Sequence, residues 1–366
     1  MSSHPTVGVE EEFLLVDPQH GEPVARNTAV AEYADARGIH LQLELTSCQV
    51  ETTTDVMSSS SALREELSRL RRVATDAAEA NGARLLAAGL PPTVPHTFPV
   101  TDTARYRRIA DRFGMIAHEQ GICGCHVHVA VPDREAAIDV SNRIRPWLHL
   151  LLALTANSAI YRNTDSGYAS FRSMLWARWP SAGPPPHFDS AADYDAAVHT
   201  LLQSGAALDA GMIYWDVRPS SNFPTVEVRV ADVPATVAET VLLATLIRAG
   251  VMTALRAREN DDPTPRLTDS AVRAAHWKSA HDGLDGHSID LVHGNATGPT
   301  EMLLAKLVNQ VRPALEELGD YDMVREELAR IVKQGNGAMR QRRAWQRRGE
   351  VADVIAELAE ATVAGV

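Results

Sequence analysis

Three short segments of this chain alternate their chemistry with a period of two, and that period is the strongest constraint on the fold. They are Val9-Glu10-Glu11-Glu12-Phe13, Cys125-His126-Val127-His128-Val129 and Val226-Glu227-Val228-Arg229-Val230. Residues i and i+2 of a strand share a face. Glu10 and Glu12 therefore point one way, as do His126 and His128, and as do Glu227 and Arg229. The valines point the other way. A common half-exposed strand shows water a mixture of Thr, Ser and Lys, but here the polar face is carboxylate, imidazole and guanidinium. Joined in one sheet, the three would make a surface of oxygen and nitrogen donors suited to hard divalent cations and phosphate.

The rest of the pattern sets the layers. Residues 6–16 read as a strand, 41–53 as extended chain and 85–90 as a buried strand. Leu63, Leu67, Leu70, Val73 and Ala77 recur at helical spacing within a helix over 61–81. Further helices are expected over 104–119, 135–161, 190–204 and 236–258, with a polar loop at 164–172 whose segment Gly167 to Arg172 is a candidate lid over substrate. The remainder reads as helical, through 302–318, 323–334 and 338–361. Strands between long helices usually suggest a parallel α/β fold. Yet no Walker loop and no Gly-x-Gly-x-x-Gly follows a strand here. The expected class is α+β, a largely antiparallel sheet with helices on one face and the active site on the other. One catalytic domain over 1–366 is expected, with a helical C-terminal part from about 268 to 366.

Charge and cysteine content narrow the function. The chain carries 35 Lys and Arg against 47 Asp and Glu, a net −12. It has no basic excess for a nucleic-acid partner. Three cysteines, Cys48, Cys123 and Cys125, suit a reducing compartment rather than a disulfide scaffold. Glu10 to Glu12 stand where a signal peptide needs a basic start and an apolar core. The longest apolar stretch is read near Trp147 to Leu154, too short to span a bilayer. The expectation is a soluble, cytoplasmic protein without a membrane partner, and a homodimer as the commonest closed assembly.

Glu10, Glu12, Glu44, Glu51 and Glu227 all fall in or beside expected strands. Clustered carboxylates repel, and they stay ionised together only when cations share the site. His126 is a candidate nitrogen ligand. Zinc on Cys123, Cys125, His126 and His128 is excluded by alternation, because cysteines and histidines lie on opposite faces of the strand. Arg172, Arg218 and Arg229 are candidate anion binders, since the guanidinium fork matches carboxylate and phosphate. Arg340, with Arg342 and Arg343, is a further candidate for nucleotide contact on a basic helix.

Taken in order, these segments resemble the carboxylate–amine ligase family, also called glutamate–cysteine ligase type 2. The carriers are Gly8-Val9-Glu10-Glu11-Glu12-Phe13, Leu43-Glu44-Leu45 through Val50-Glu51-Thr52, Gly124 to Val129, Asp165 to Arg172, Trp215 to Ser220, and Thr225 to Arg229. The resemblance implies a curved sheet related to the catalytic domain of glutamine synthetase, which guanidino kinases share. It implies ATP with magnesium, manganese being the alternative. It implies that Glu10, Glu12, Glu44, Glu51, His126 and Glu227 hold the metals. Arg229 would face the nucleotide phosphates and Arg172 the acid or its phosphate. Asp165-Ser166-Gly167 departs from the Thr-Gly pairing expected there.

The implied reaction joins a carboxylate, glutamate by resemblance, to an amine such as cysteine through an acyl phosphate. Catalysis would fall to Arg229, Arg172 and Glu227. Three rivals remain: a phosphotransferase of the guanidino-kinase type, a metal-dependent hydrolase, and a non-catalytic nucleotide-binding module.

Overall fold

The computed structural model describes residues 4–366. Its organising element is β1 (Val7–Val16), the long strand that carries Glu10 and Glu12. Helix α1 (Asn27–Asp35) follows, then the short strand β2 (Gln42–Leu43) and β3 (Gln49–Thr53). The expected extended stretch 41–53 is thus two strands with a bend at 44–48 that holds Glu44. Helix α2 (Ser60–Ala80) leads to β4 (Arg84–Leu86), shorter than the strand expected over 85–90.

The helix expected over 104–119 is two, α3 (Ala104–Phe113) and α4 (Met115–His118). They break at Gly114, whose φ of 54° only glycine adopts readily. Strand β5 (Gly124–Ala130) carries both histidines. The single helix expected over 135–161 is also corrected. Helix α5 (Arg134–Ile144) gives way to a 3-10 turn around Pro146, and α6 (Leu148–Thr155) stops well short of Tyr161. Pro146 has no N–H to give to a continuing α-helix.

A small hairpin of β6 (Ile160–Tyr161) and β7 (Thr164–Asp165) follows, and then the short helix α7 (Phe171–Trp176). The loop expected at 164–172 is therefore mostly structured. After α8 (Ala191–Ser204) come β8 (Val217–Pro219), β9 (Thr225–Asp232) and α9 (Val237–Glu259). The C-terminal third holds α10 (Asp269–Asp282) and then β10 (His287–Asp290) with β11 (Ala296–Pro299), a hairpin the helical expectation missed. It ends in α11 (Thr300–Leu318), α12 (Tyr321–Gln334), α13 (Gly337–Arg348) and α14 (Val351–Thr362). The last two replace the continuous helix expected over 338–361, and Gly349 divides them.

Seven strands form the main sheet, in the order β2-β3-β1-β5-β9-β8, with β4 also pairing β1. Every pairing in it is antiparallel. The register sets Glu10 opposite His126 and Glu12 opposite Glu51, while His128 and Arg218 both lie opposite Glu227. Between Cys125 and Val127 the register of β5 against β9 shifts by a residue. Such irregularities re-aim side chains and often sit beside active sites.

Apolar residues of the opposite face make the core. Val9, Val127, Val129, Val226, Val228 and Val230 pack with α5, α6, α9 and α11. Phe13, Val50 and Leu85 pack with α1, α2 and α14. Each large side chain buried there contributes roughly 1.5–3 kcal/mol. Helix α9 is the one described helix long and apolar enough to cross a membrane, a length the sequence reading did not notice. Of its most apolar window, 89% is buried inside the protein, as in a core helix.

One residue of β1 departs from the apolar character of the core face. Glu11 lies on the helix-packed face and is fully buried. It meets Arg71 of α2, with Nη2 2.6 Å from Oε1 and Nε 3.0 Å from Oε2. Thr240 of α9 donates to it at 2.6 Å. Arg71 also donates to the carbonyls of Pro234 and Ala235, so this pair locks three elements together behind the sheet.

Candidate active site

The polar face of the sheet gathers residues more than two hundred positions apart. Three sets of donor atoms each lie within 4.8 Å of one another: Glu10, Glu51 and His126; Glu10, His128 and Glu227; and Glu12, Glu44 and Glu51. All six residues expected to hold metal are present, and His128 joins them. Alternation put His128 on the right face, but nothing in the sequence gave it a role. Within the cluster His126 Nδ1 is 3.0 Å from Glu10 Oε2, and His128 Nε2 is 3.4 Å from Glu10 Oε1. Glu12 Oε2 accepts from the Gly124 N–H at 2.6 Å.

The electrostatics of the cluster are lopsided. Burial alone would lift Glu10, but hydrogen bonds from His126 and His128 hold its carboxyl well below the usual range. Glu227 is likewise held low against its burial by Arg229 and Arg218. Glu44 and Glu51 go the other way. Burial, and then the charge of Glu12 and Glu10, pushes Glu44 up to about 8. Burial, with Glu10 and Glu44 beside it, pushes Glu51 well above its ordinary value. Burial also lowers His126, which favours neutral imidazole.

A donor set of carboxylate oxygens and imidazole nitrogen, in which burial and then neighbouring carboxylates raise Glu44 and Glu51, is what divalent cations relieve. The residues present therefore fit such ions. Cys123 and Cys125 take no part in the cluster, since both are buried in the apolar core.

Arginines frame the cluster. Arg218 forks onto Glu227, with Nε 2.9 Å from Oε2 and Nη2 3.2 Å from Oε1. Arg229 contacts Glu227 and lies 3.2 Å from His126 Nδ1. Arg172 reaches in from α7 above Gly124. A Cβ on Gly124 would stand 2.4 Å from Arg172 Nη2, so the guanidinium seat depends on a residue without a side chain.

The loop before α7 is clamped by Asp232, a residue sequence reasoning missed. Its carboxylate takes bonds from Asn157 N at 2.8 Å, Ser158 Oγ at 2.7 Å and Ser170 Oγ at 2.8 Å. Behind Arg172, Ser173 Oγ lies 2.6 Å from His276 Nε2, and His276 Nδ1 is 3.4 Å from Asp216. Burial raises Asp216 to about 7 and lowers His276 to about 4, with the charge of Arg172 adding to the histidine shift.

Arg340 is not brought to the site. It pairs with Glu239 at 2.8 Å and the Gly335 carbonyl at 2.7 Å, among the C-terminal helices. Arg342 pairs with Asp165, and Arg343 with the Gln334 carbonyl. A basic helix face meets local acids and carbonyls more readily than a distant anion. Its sequence alone does not reveal which way it turns.

Glu10, Glu12, Glu44, Glu51 and His126 line a cavity of about 330 Å³, together with Arg172, Arg218 and Arg229. Its far wall is aromatic, from Tyr106, Trp176, Trp179 and Tyr214. Nothing in the sequence marked Trp176 or Trp179 for the site.

Comparison with known proteins gives the family and the fold. The family model described as glutamate-cysteine ligase family 2 matches residues 6–357. The chain is 73% identical over 364 residues to a Mycolicibacterium smegmatis protein named "Putative glutamate–cysteine ligase 2-3", and the match covers 100% of each. It is 66% identical to a "Putative glutamate–cysteine ligase 2-2" of Mycobacterium sp. strain KMS, again over 100% of each chain.

Among solved structures, the fold is similar to a bifunctional glutathione synthetase from Pasteurella multocida, with a TM-score of 0.72 and 15% identity. That match covers 98% of this chain and 52% of the other. A glutamate–cysteine ligase from Francisella tularensis, solved with AMP, gives a TM-score of 0.69 at 12% identity, covering 99% and 89%.

Proposed function

This chain belongs to glutamate–cysteine ligase family 2, and from that premise we propose that it activates the side-chain carboxylate of glutamate as an acyl phosphate and passes it to an amine. The coarse class is an ATP-dependent carboxylate–amine ligase. The observation that best supports the finer reading is the convergence of five carboxylates, two imidazoles and two arginine forks on one sheet face.

Glu10, Glu12, Glu44, Glu51, His126 and Glu227 would hold magnesium, with His128 beside them. When bound, such cations offset charge on the polyphosphate and on the transferring group. Arg229 and Arg218, both paired with Glu227, would take the phosphates of ATP. Their pairing with Glu227 holds both forks still before substrate arrives. Arg172, clamped from behind through Asp232, would fix the acid.

In the first step a carboxylate oxygen attacks the γ-phosphorus and ADP leaves. In the second the amine nitrogen bonds to the acyl carbon, the bond from that carbon to the phosphate oxygen breaks, and the amine gives up a proton. Walls from Trp176, Trp179 and Tyr214 keep water from the intermediate.

Oxygen-18 in the glutamate carboxylate tests this reading. Turnover with ATP, magnesium and an amine should release phosphate carrying one label, with the amide seen by mass spectrometry. Unlabelled phosphate would refute the acyl phosphate.

A further inference from the structure

The cavity has two halves of different chemistry. One is the acidic cluster. The other is a chamber walled by Tyr106, Trp176, Trp179 and Tyr214. Trp176 and Tyr214 have ring centroids 4.7 Å apart, and Trp179 and Tyr214 5.6 Å, so these three rings pack against one another at tilted and edge-on angles.

Gln120 lines the same cavity and is only 3% exposed. Neither its amide nitrogen nor its amide oxygen has a partner among the described residues. The indole Nε1 of Trp179 is also buried without one. Unmatched buried donors and acceptors are costly, and folded proteins carry few. A primary amide with both ends open calls for a ligand group that donates and accepts at once.

We propose that this chamber is the acceptor subsite, and that it takes an aralkylamine whose ring lies on the aromatic wall and whose distal hydroxyl or carboxamide pairs with Gln120. The inference rests on the ligase reading above and adds the class of amine to it. A flat ring would recover the apolar area that Tyr106, Trp176 and Tyr214 present to the cavity. A hydroxyl or carboxamide satisfies both ends of Gln120. Cysteine does neither: its thiol is a weak donor and acceptor, and its side chain is too short to cover four rings. The amine end then points to the acidic half, where the acyl carbon forms.

Hydroxylamine separates the two readings, because it is small enough to trap an activated acid without filling the chamber. The wild-type protein, with ATP, magnesium and glutamate, is offered hydroxylamine, cysteine, phenethylamine and tyramine in parallel. Failure to form the hydroxamate would sink the ligase reading itself. Given hydroxamate, kcat/KM for tyramine should exceed that for cysteine and for phenethylamine by at least about tenfold. Cysteine performing as well as tyramine would overturn the inference.

Gln120→Leu should erase the preference for tyramine over phenethylamine, and the ratio of amide to hydroxamate rates should fall about tenfold. Gln120→Glu keeps the shape but loses the donor, and should erode the same preference if the leucine variant folds poorly. An unchanged tyramine-to-phenethylamine ratio, with KM for ATP or glutamate raised instead, would show that another substrate occupies the chamber.

Discussion

Glu44→Gln should stabilise the metal-free protein and cripple the enzyme. Burial and the neighbouring Glu12 and Glu10 raise the Glu44 carboxyl from 4.5 to about 8. In the unfolded chain Glu44 is ionised above its ordinary value, so folding at neutral pH must return a proton to it. The penalty is absent below about pH 4.5, grows as pH rises, and levels off above about 8. At pH 7 it amounts to about 3 kcal/mol, and at pH 5 to under about 1 kcal/mol. Glutamine has the same shape and no such cost.

Urea unfolding followed by tryptophan fluorescence, in EDTA, should therefore show the variant more stable by up to about 3 kcal/mol at pH 7, with most of the gain gone at pH 5. Magnesium should reverse the order. On the proposed reading it would bind the folded wild type through the ionised carboxylates, adding stability that the variant loses in part. ADP release should drop about a hundredfold or more, as for loss of a charged group at a phosphoryl-transfer site. A variant no more stable than wild type at pH 7, or a gain of equal size at both pH values, would refute the crowding argument.

Three further outcomes follow from contacts described above. Arg229→Lys should lower kcat/KM for ATP by about a hundredfold in a coupled ADP assay, because a point charge cannot reproduce the fork; a rate within a factor of two of wild type would remove Arg229 from the phosphate site. Gly124→Ala sets a methyl 2.4 Å from Arg172 Nη2; KM for glutamate should rise about tenfold with little change in melting temperature, and an unchanged KM would detach Arg172 from the acid. Arg71→Met should cost about 3–5 kcal/mol in urea unfolding by stranding Glu11, and adding Glu11→Met should restore part of it; equal losses in the single and double variants would show that Glu11 is not stranded.

Much of the site was legible because its carriers sit on strands with a strict period. Glu10, Glu12, His126, Glu227 and Arg229 needed only alternation. Glu44 was harder, since it lies in the bend between β2 and β3, where no period applies. Arg340 was misplaced because helical periodicity gives a face but not a neighbour, and Glu239 lies 101 residues away in sequence. Asp232 and Gln120 were unreadable for a related reason. Their importance lies in what surrounds them, three donors for one and none for the other, and such partners appear only when distant segments meet. Helix boundaries failed where one residue outweighed the pattern, at Gly114 and Pro146.

Strand β1 carries the argument for a cation one step further, because it contains its own control. Glu10, Glu11 and Glu12 are consecutive and chemically identical, yet they resolve the cost of a buried charge in different ways. Glu11 faces the helices and meets Arg71 at 2.6 Å, a permanent counter-charge fixed by five further donations from the same guanidinium. Glu10 and Glu12 face the cavity, where arginine is held by Glu227 and where Glu44 and Glu51 add to the crowding. A fold that needed those carboxylates only for stability could have closed them with arginine, as it does one residue away. Leaving them unpaired by fixed charge keeps the site open to a counter-charge that comes and goes, which is what a polyphosphate substrate with its cations requires.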